Sequence, residues 1–185
     1  MMPEISLNVL DVAENSTRAG ASLVQITVKA DTVQDRLSVI IADDGCGMTP
    51  EQVAQVTDPF FTSRTTRKVG LGVPFFKYAA ESTGGSFTIE SEVGVGTTVT
   101  AIFTMSHIDR MPLGDITSTI HTLAVYHPET DFLYRYCYND RSFELDTRQF
   151  REVLGGVPFD TPEISEYIKD YLTENKLETD GGAVY

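Results

Sequence analysis

Two glycine blocks constrain this chain most. The first, Asp43-Asp44-Gly45-Cys46-Gly47-Met48, follows directly on a β-branched run at residues 36–42. The second, Val69-Gly70-Leu71-Gly72-Val73-Pro74, runs into a helical pattern at residues 73–83, with Pro74 in the first turn and Gly84-Gly85 after the end. A strand that ends in a glycine loop, and a later glycine loop that opens a helix, put two bends of bare backbone at the edges of regular elements. Such bends occur where backbone must approach something closely.

The flanking pattern extends this frame. Residues 3–19 read as a helix that stops at Gly20, and residues 23–30 and 36–42 read as two strands joined at 31–35. After the 73–83 helix come strands at 86–90 and 97–104, turned by Gly94 and Gly96. The predicted class is α+β, a two-layer sandwich in which a mixed sheet carries helices on one face. Residues 4–105 form this unit. Residues 107–177 read as a small α+β region, with a helix at 115–126 and alternating aromatics Phe132, Tyr134, Tyr136 and Tyr138. A hairpin at Asn139-Asp140, a short helix capped by Asp146 or Thr147, and an amphipathic helix at 162–175 follow. The alternating aromatics suit a core strand better than a partner surface. Residues 178–185 are expected to be a frayed tail.

A net charge of −13 argues against nucleic-acid binding, because phosphate backbones attract basic surfaces. Both regions are acidic, which also argues against a membrane surface. No apolar run approaches the roughly 20 residues of a membrane helix. The start of the chain lacks the basic opening of a signal peptide, and two cysteines, Cys46 and Cys137, suit a reducing compartment. The expected location is cytoplasmic.

Four polar groupings carry chemistry. On the first helix, Asp11 and Asn15 share a face and Arg18 follows nearby, a stripe able to hold a metal ion and phosphates or simply a solvated helix face. Asp43, at a strand end, can accept from an exocyclic amine, while Gly45 and Gly47 let backbone lie against a planar ring; alone, the same residues also make a plain turn. Gly70, Leu71, Gly72 and Val73 open a helix where free N–H groups favour phosphate. Arg64, Arg67, Lys68 and Lys77 lie close by in a chain with only 14 cationic residues. The last grouping, Gly94-Val95-Gly96-Thr97-Thr98, reads by itself as a glycine hairpin.

In this order the groupings resemble the superfamily of gyrase, Hsp90, histidine kinases and MutL. LDVAENSTRAGAS is similar to its N box, ADDGCGM to its G1 box, DPFFTSR to the histidine-kinase F box, KVGLGV to its G2 box and GVGTTVTAIF to its closing strand. The resemblance covers residues 5–103 and implies the Bergerat ATP-binding fold with ATP and Mg²⁺ as ligands. It implies Asn15 as the Mg²⁺ ligand, Asp43 as the reader of the adenine amine, and Gly45, Gly47 and Met48 around the base. Arg18, Gly70, Leu71, Gly72 and Val73 belong with the phosphates, and Lys68 either touches phosphate or stiffens the lid. Thr97 or Thr98 supports the base end, and residues 49–69 form an ATP lid anchored by Phe60 and Phe61.

Two departures stand out. Lys68 occupies a position that is glycine in the family's G2 box. Asp11 occupies the place of the glutamate general base in hydrolysing branches; it is the candidate base, one methylene short. Only residues 1–4 precede the module, so a stand-alone form acting on a protein partner or phosphoacceptor in trans is expected. A non-catalytic ATP sensor that controls a complex is the alternative. His121 is a minor phosphoacceptor candidate, since a lone histidine is more often structural.

Overall fold

The computed structural model describes residues 2–60 and 71–185. In chain order its elements are α1 (Ile5–Arg18), β1 (Leu23–Asp31), β2 (Arg36–Asp43), α2 (Pro50–Thr57), α3 (Gly72–Glu81), β3 (Ser86–Glu92) and β4 (Gly96–Thr104). There follow α4 (Ile116–Tyr126), β5 (Asp131–Tyr138), β6 (Arg141–Asp146), α5 (Thr147–Val153) and α6 (Pro162–Asp180). The strands form a single sheet in the order β3-β4-β2-β1-β5-β6. Every neighbouring pair is antiparallel except β1 and β5. This is the expected α+β architecture with a mixed sheet.

Strand alternation decides which face the helices cover. Val24, Ile26 and Val28 of β1, Leu37, Val39 and Ile41 of β2, Val99, Ala101 and Phe103 of β4, and Phe132, Tyr134 and Tyr136 of β5 are all buried. Residues of the opposite parity, such as Gln25, Lys29 and Arg135, are exposed. Against the buried face pack Ile5, Val9, Val12 and Ala13 of α1, Val73, Phe76 and Ala80 of α3, Ile116, Ile120 and Leu123 of α4, and Ile168 and Leu172 of α6. Phe76 ties α3 to the sheet through edge and tilted contacts with Phe87 and Phe103, at ring separations of 5.9 and 6.0 Å.

The C-terminal region, read from sequence as a small α+β region, extends the same sheet. β5 pairs with β1 in parallel from Leu23↔Asp131 to Ala30↔Tyr138, and β6 continues the sheet beyond it. The physical reason is the edge of β1, which would otherwise present a row of unpaired N–H and C=O groups. The aromatic alternation of β5 does face the core, as its periodicity suggests. A short helix absent from the sequence reading, α2, falls in the segment assigned to a lid. Thr49 and Gln52 close a reciprocal capping box on it, and Pro50 opens it.

The tail expected at 178–185 is ordered. α6 runs on to Asp180 and is stopped by Gly181 in the left-handed conformation, φ 65°. The Tyr185 carbonyl accepts from Leu113 N at 2.9 Å, and its hydroxyl meets that of Tyr136. Asp180, buried, accepts from the Tyr136 hydroxyl at 2.8 Å, from Lys176 Nζ at 2.7 Å and from Gly182 N at 2.9 Å. Burial alone would push the Asp180 carboxyl up, but the bonds from Lys176, Tyr136 and Gly182 outweigh it and hold the group below its ordinary value of 3.8. A carboxyl lowered in this way stabilises the fold fully above that ordinary value and loses its contribution as pH falls through the folded-state value. Asp180→Ala should therefore cost about 2–3 kcal/mol at neutral pH, measured by urea unfolding with an unchanged m-value. Its deficit relative to wild type should shrink in acid.

Candidate nucleotide-binding site

The site gathers at the end of β2. Asp43 is the last residue of that strand and pairs across the sheet with Val24 and Thr97. Its parity is that of Val39 and Ile41, so its carboxylate points into the helix layer, toward α1. There the Ser16 hydroxyl donates to Asp43 Oδ2 at 2.6 Å, and Gly45 N donates to Oδ1 at 2.9 Å. Both oxygens are thus fixed in direction, and each keeps a further lone pair for a donor from outside.

The next residue does different work. Asp44 accepts from Ser22 N at 2.7 Å, from Leu23 N at 2.9 Å and from the Ser22 hydroxyl. The Ser22 hydroxyl bond, helped by the Leu23 N–H, holds the Asp44 carboxyl below the usual range. Asp44 therefore caps the start of β1, and Asp43 is the acid of the pair that faces α1.

The loop after Asp43 is pinned on both sides. Cys46 N donates to Ala19 O at 3.0 Å, Gly94 N donates to Cys46 O at 2.8 Å, and Met48 N donates to Ser91 Oγ at 2.8 Å. Ser91 also meets Thr97 Oγ1 at 2.7 Å. Gly47 has φ +69°, and a Cβ there would stand 1.9 Å from the Glu92 carbonyl oxygen. Its glycine identity is therefore already required by packing against the β3–β4 turn. A Cβ on Gly45 would crowd Ala19 and the Asp43 carboxylate at 3.0 Å.

The α1 stripe lies alongside. Asn15 is half-buried, and its Oδ1 accepts from Arg18 Nη1 at 3.2 Å. Asp11, one turn earlier, reaches α3: a Cβ on Gly72 would fall 1.5 Å from Asp11 Oδ2. Asp11, Asn15, Arg18, Asp43, Gly45, Gly47 and Gly72 thus lie on the α1 stripe, the end of β2 and its loop, and the start of α3.

Other expected residues sit differently. Strand alternation turns Thr98, partner of Ala42, to the uncovered face, while Thr97 shares the face of Asp43. Val73 is buried in the core, so its side chain is a packing element. Met48 is attached through its backbone, Leu71 is half exposed and Phe60 is 90% exposed. Lys68 and Gly70, with Phe61, Arg64 and Arg67, lie outside the described residues. His121 spends its Nε2 on Ser165, at 3.0 Å from the carbonyl and 2.9 Å from the hydroxyl, joining α4 to α6. That bond gives His121 a structural task, which weakens its candidacy as a phosphoacceptor.

Two residues that serve the site escaped the sequence reading, Ser16 and Ser91. Ser16 follows Asn15 on an otherwise apolar part of α1, and a buried hydroxyl there implies a polar partner across the interface. Ser91 gave no signal, since a serine near a glycine turn is ordinary.

The family described as histidine kinase-, DNA gyrase B-, and HSP90-like ATPase matches residues 3–107. Sensor protein SrrB of Staphylococcus aureus, in strains NCTC 8325 / PS 47 and COL among others, is 34% identical over 102 residues. That match takes in 52% of this chain and 17% of the relative, so the chain spans about a sixth of the curated proteins it resembles. Among solved structures, the N-terminal domain of a DNA repair protein aligns with 78% of this chain and 52% of its own, at a TM-score of 0.50 and 13% identity. The Aquifex aeolicus MutL ATPase domain complexed with ADP covers 84% of this chain and 70% of its own, at a TM-score of 0.49 and 17% identity. No helix among the described residues is long and apolar enough to cross a membrane.

The packing at Gly47 yields a direct test. Gly47→Ala should lower stability by about 2–3 kcal/mol, since it adds both a strained φ and a clash with backbone. Gly94→Ala, also at positive φ but with nothing within 4 Å of its Cβ, should cost about 1 kcal/mol. Chemical denaturation of the two variants side by side measures the difference.

Proposed function

The chain belongs to the histidine kinase-, DNA gyrase B- and HSP90-like ATPase family, and from that premise we propose that it binds Mg·ATP and transfers phosphate to a separate partner protein in signalling or regulation. The observation that carries the ATP reading is Asp43: a carboxylate at a strand end, aimed into the helix layer and fixed by Ser16 and Gly45. An acceptor without a donor of its own favours the adenine amine and disfavours the guanine carbonyl, which also accepts.

In this reading Asn15 supplies an amide oxygen to Mg²⁺. The donor chemistry fits, because magnesium takes oxygen ligands and needs few from protein. The only described bond to Asn15 Oδ1 is a 3.2 Å contact from an exposed Arg18, which is easily exchanged. A Mg²⁺ held by Asn15 would supply positive charge to offset that of the phosphates. Arg18 contributes a guanidinium at the same rim, and Gly72 offers backbone at the start of α3. Gly45 and Gly47 shape the base end with Met48 and Thr97. The catalytic contribution is positioning and electrostatics, with Asp11 as the candidate base.

A second reading, a non-catalytic ATP sensor that controls a protein complex, draws support from Asp11 itself. Its Oδ2 is sealed from solvent against Gly72, away from any incoming water. Turnover separates the two readings. Radiolabelled ATP in a cytosolic lysate should label a partner in a manner that depends on Asp11, tested with Asp11→Ala. Tight binding with neither transfer nor hydrolysis favours the sensor.

Binding itself has a simpler test. Mg·ATP at about a hundred times its Kd should stabilise the wild type by about 2.7 kcal/mol. Mg·GTP should do much less, and Asp43→Ala should lose the ATP effect. A wild type whose melting point ignores Mg·ATP sinks both readings.

A further inference from the structure

One face of the sheet is bare among the described residues. The helices pack their apolar sides against Val39, Ile41 and the other strand residues of that parity. Side chains of the opposite parity point away from all of them. At the middle of this second face stands Ile40, in register with Thr100 on β4 and Thr27 on β1. Ala42, Ile102 and Leu133 fall in the adjoining rows. All six are only half-buried.

The charge on this face runs against that of the chain. The chain carries 27 acids among 185 residues, about one in seven. The inner strands β4, β2, β1 and β5 each place three residues in the middle of the face, in three registered rows, and none of these twelve is acidic. Two are cationic, Lys29 and Arg135, and Arg135 already pairs with Glu144 at 3.0 Å. Two molecules of net charge −13 repel one another. They meet with least repulsion through a surface on which acid does not oppose acid.

The C-terminal strands give the face its size. With strands about 4.8 Å apart, β3, β4, β2 and β1 alone are about 14 Å wide, and β5 and β6 widen the sheet to about 24 Å. At about 3.3 Å per residue, strands of six to nine residues make it about 25 Å long. The projected area is roughly 600 Å², and side-chain relief carries the accessible area toward the ~800 Å² per partner of a standard protein interface. We propose that this face is the contact between two copies of the chain, packed sheet against sheet into a four-layer sandwich. Two twisted sheets cover each other well in an aligned packing, and a two-fold pair uses the same patch on both molecules. Both α1 helices then lie on the outside, so the loop after Asp43 stays open on each copy.

Sedimentation velocity over a concentration series, without nucleotide, tests the pairing independently of the ATP reading. Wild type should pass from monomer to dimer as concentration rises. Ile40→Asp should raise the dimer dissociation constant about a hundredfold. Thr100→Lys repeats the test at the neighbouring position if circular dichroism shows Ile40→Asp unfolded. A further readout needs no substitution. Cys137 lies on this face beside Lys29, whereas Cys46 is exposed on the loop after β2. Maleimide labelling of Cys137 should slow relative to Cys46 as wild type is concentrated. A wild type still monomeric at about 500 µM overturns the proposal. So does a dimer that leaves the Cys137 rate unchanged, or one that survives a folded variant at Ile40 or Thr100 with its dissociation constant unaltered.

Discussion

One hydrogen bond organises the cleft, that of the Ser16 hydroxyl to the Asp43 carboxylate. It joins the opening helix to the strand that lies under it, and it does so at the point where the strand gives way to a glycine loop. The apolar side of α1, through Val9, Val12 and Ala13, fixes the helix on the sheet. That seat determines where the polar rim falls, with Ser16 over Asp43, Ala19 over the loop at Cys46, and Asp11 over the start of α3. The position of every polar group in the cleft follows from how one amphipathic helix lies across β1 and β2.

The loop beyond Asp43 shows how packing and chemistry share residues. Its glycines can be read from sequence as space for a flat ring. In the structure Gly47 first makes room for the Glu92 carbonyl, and Gly45 for its own bond to Asp43. Under the proposed ATP reading, the same missing side chains serve a base cradle and a strand–turn contact. The acid pair Asp43-Asp44 divides its labour likewise: strand parity sends one carboxylate toward the cleft, and three donors hold the other on the chain entering β1.

Much of this was legible before any coordinates. The strand end at Asp43, the helix face of Asp11 and Asn15, and the helix opened at Gly72 are local patterns with periods that sequence displays. What stayed hidden was relational. Thr97 and Thr98 could not be told apart without the register of β4 against β2. Ser16 looks ordinary until a strand 27 residues away is laid beside it. The capping box of α2 is written in Thr49-Pro50-Glu51-Gln52, yet a short helix within a presumed lid carries no long periodic signal. The aromatic alternation of β5 announced a core strand but not its neighbour, because pairing partners leave no mark in a single strand's pattern.

The parallel pairing of β1 with β5 has a consequence for how the molecule is made. Leu23 finds its partner at Asp131, across three intervening strands and three helices. Such distant closure is entropically slow and raises contact order. During synthesis the opening helix and first hairpin emerge early, while one flank of β1 waits for the aromatic strand to leave the ribosome. The nascent cleft therefore spends its first seconds beside an incomplete sheet, and the aromatic strand is the stitch that finishes it.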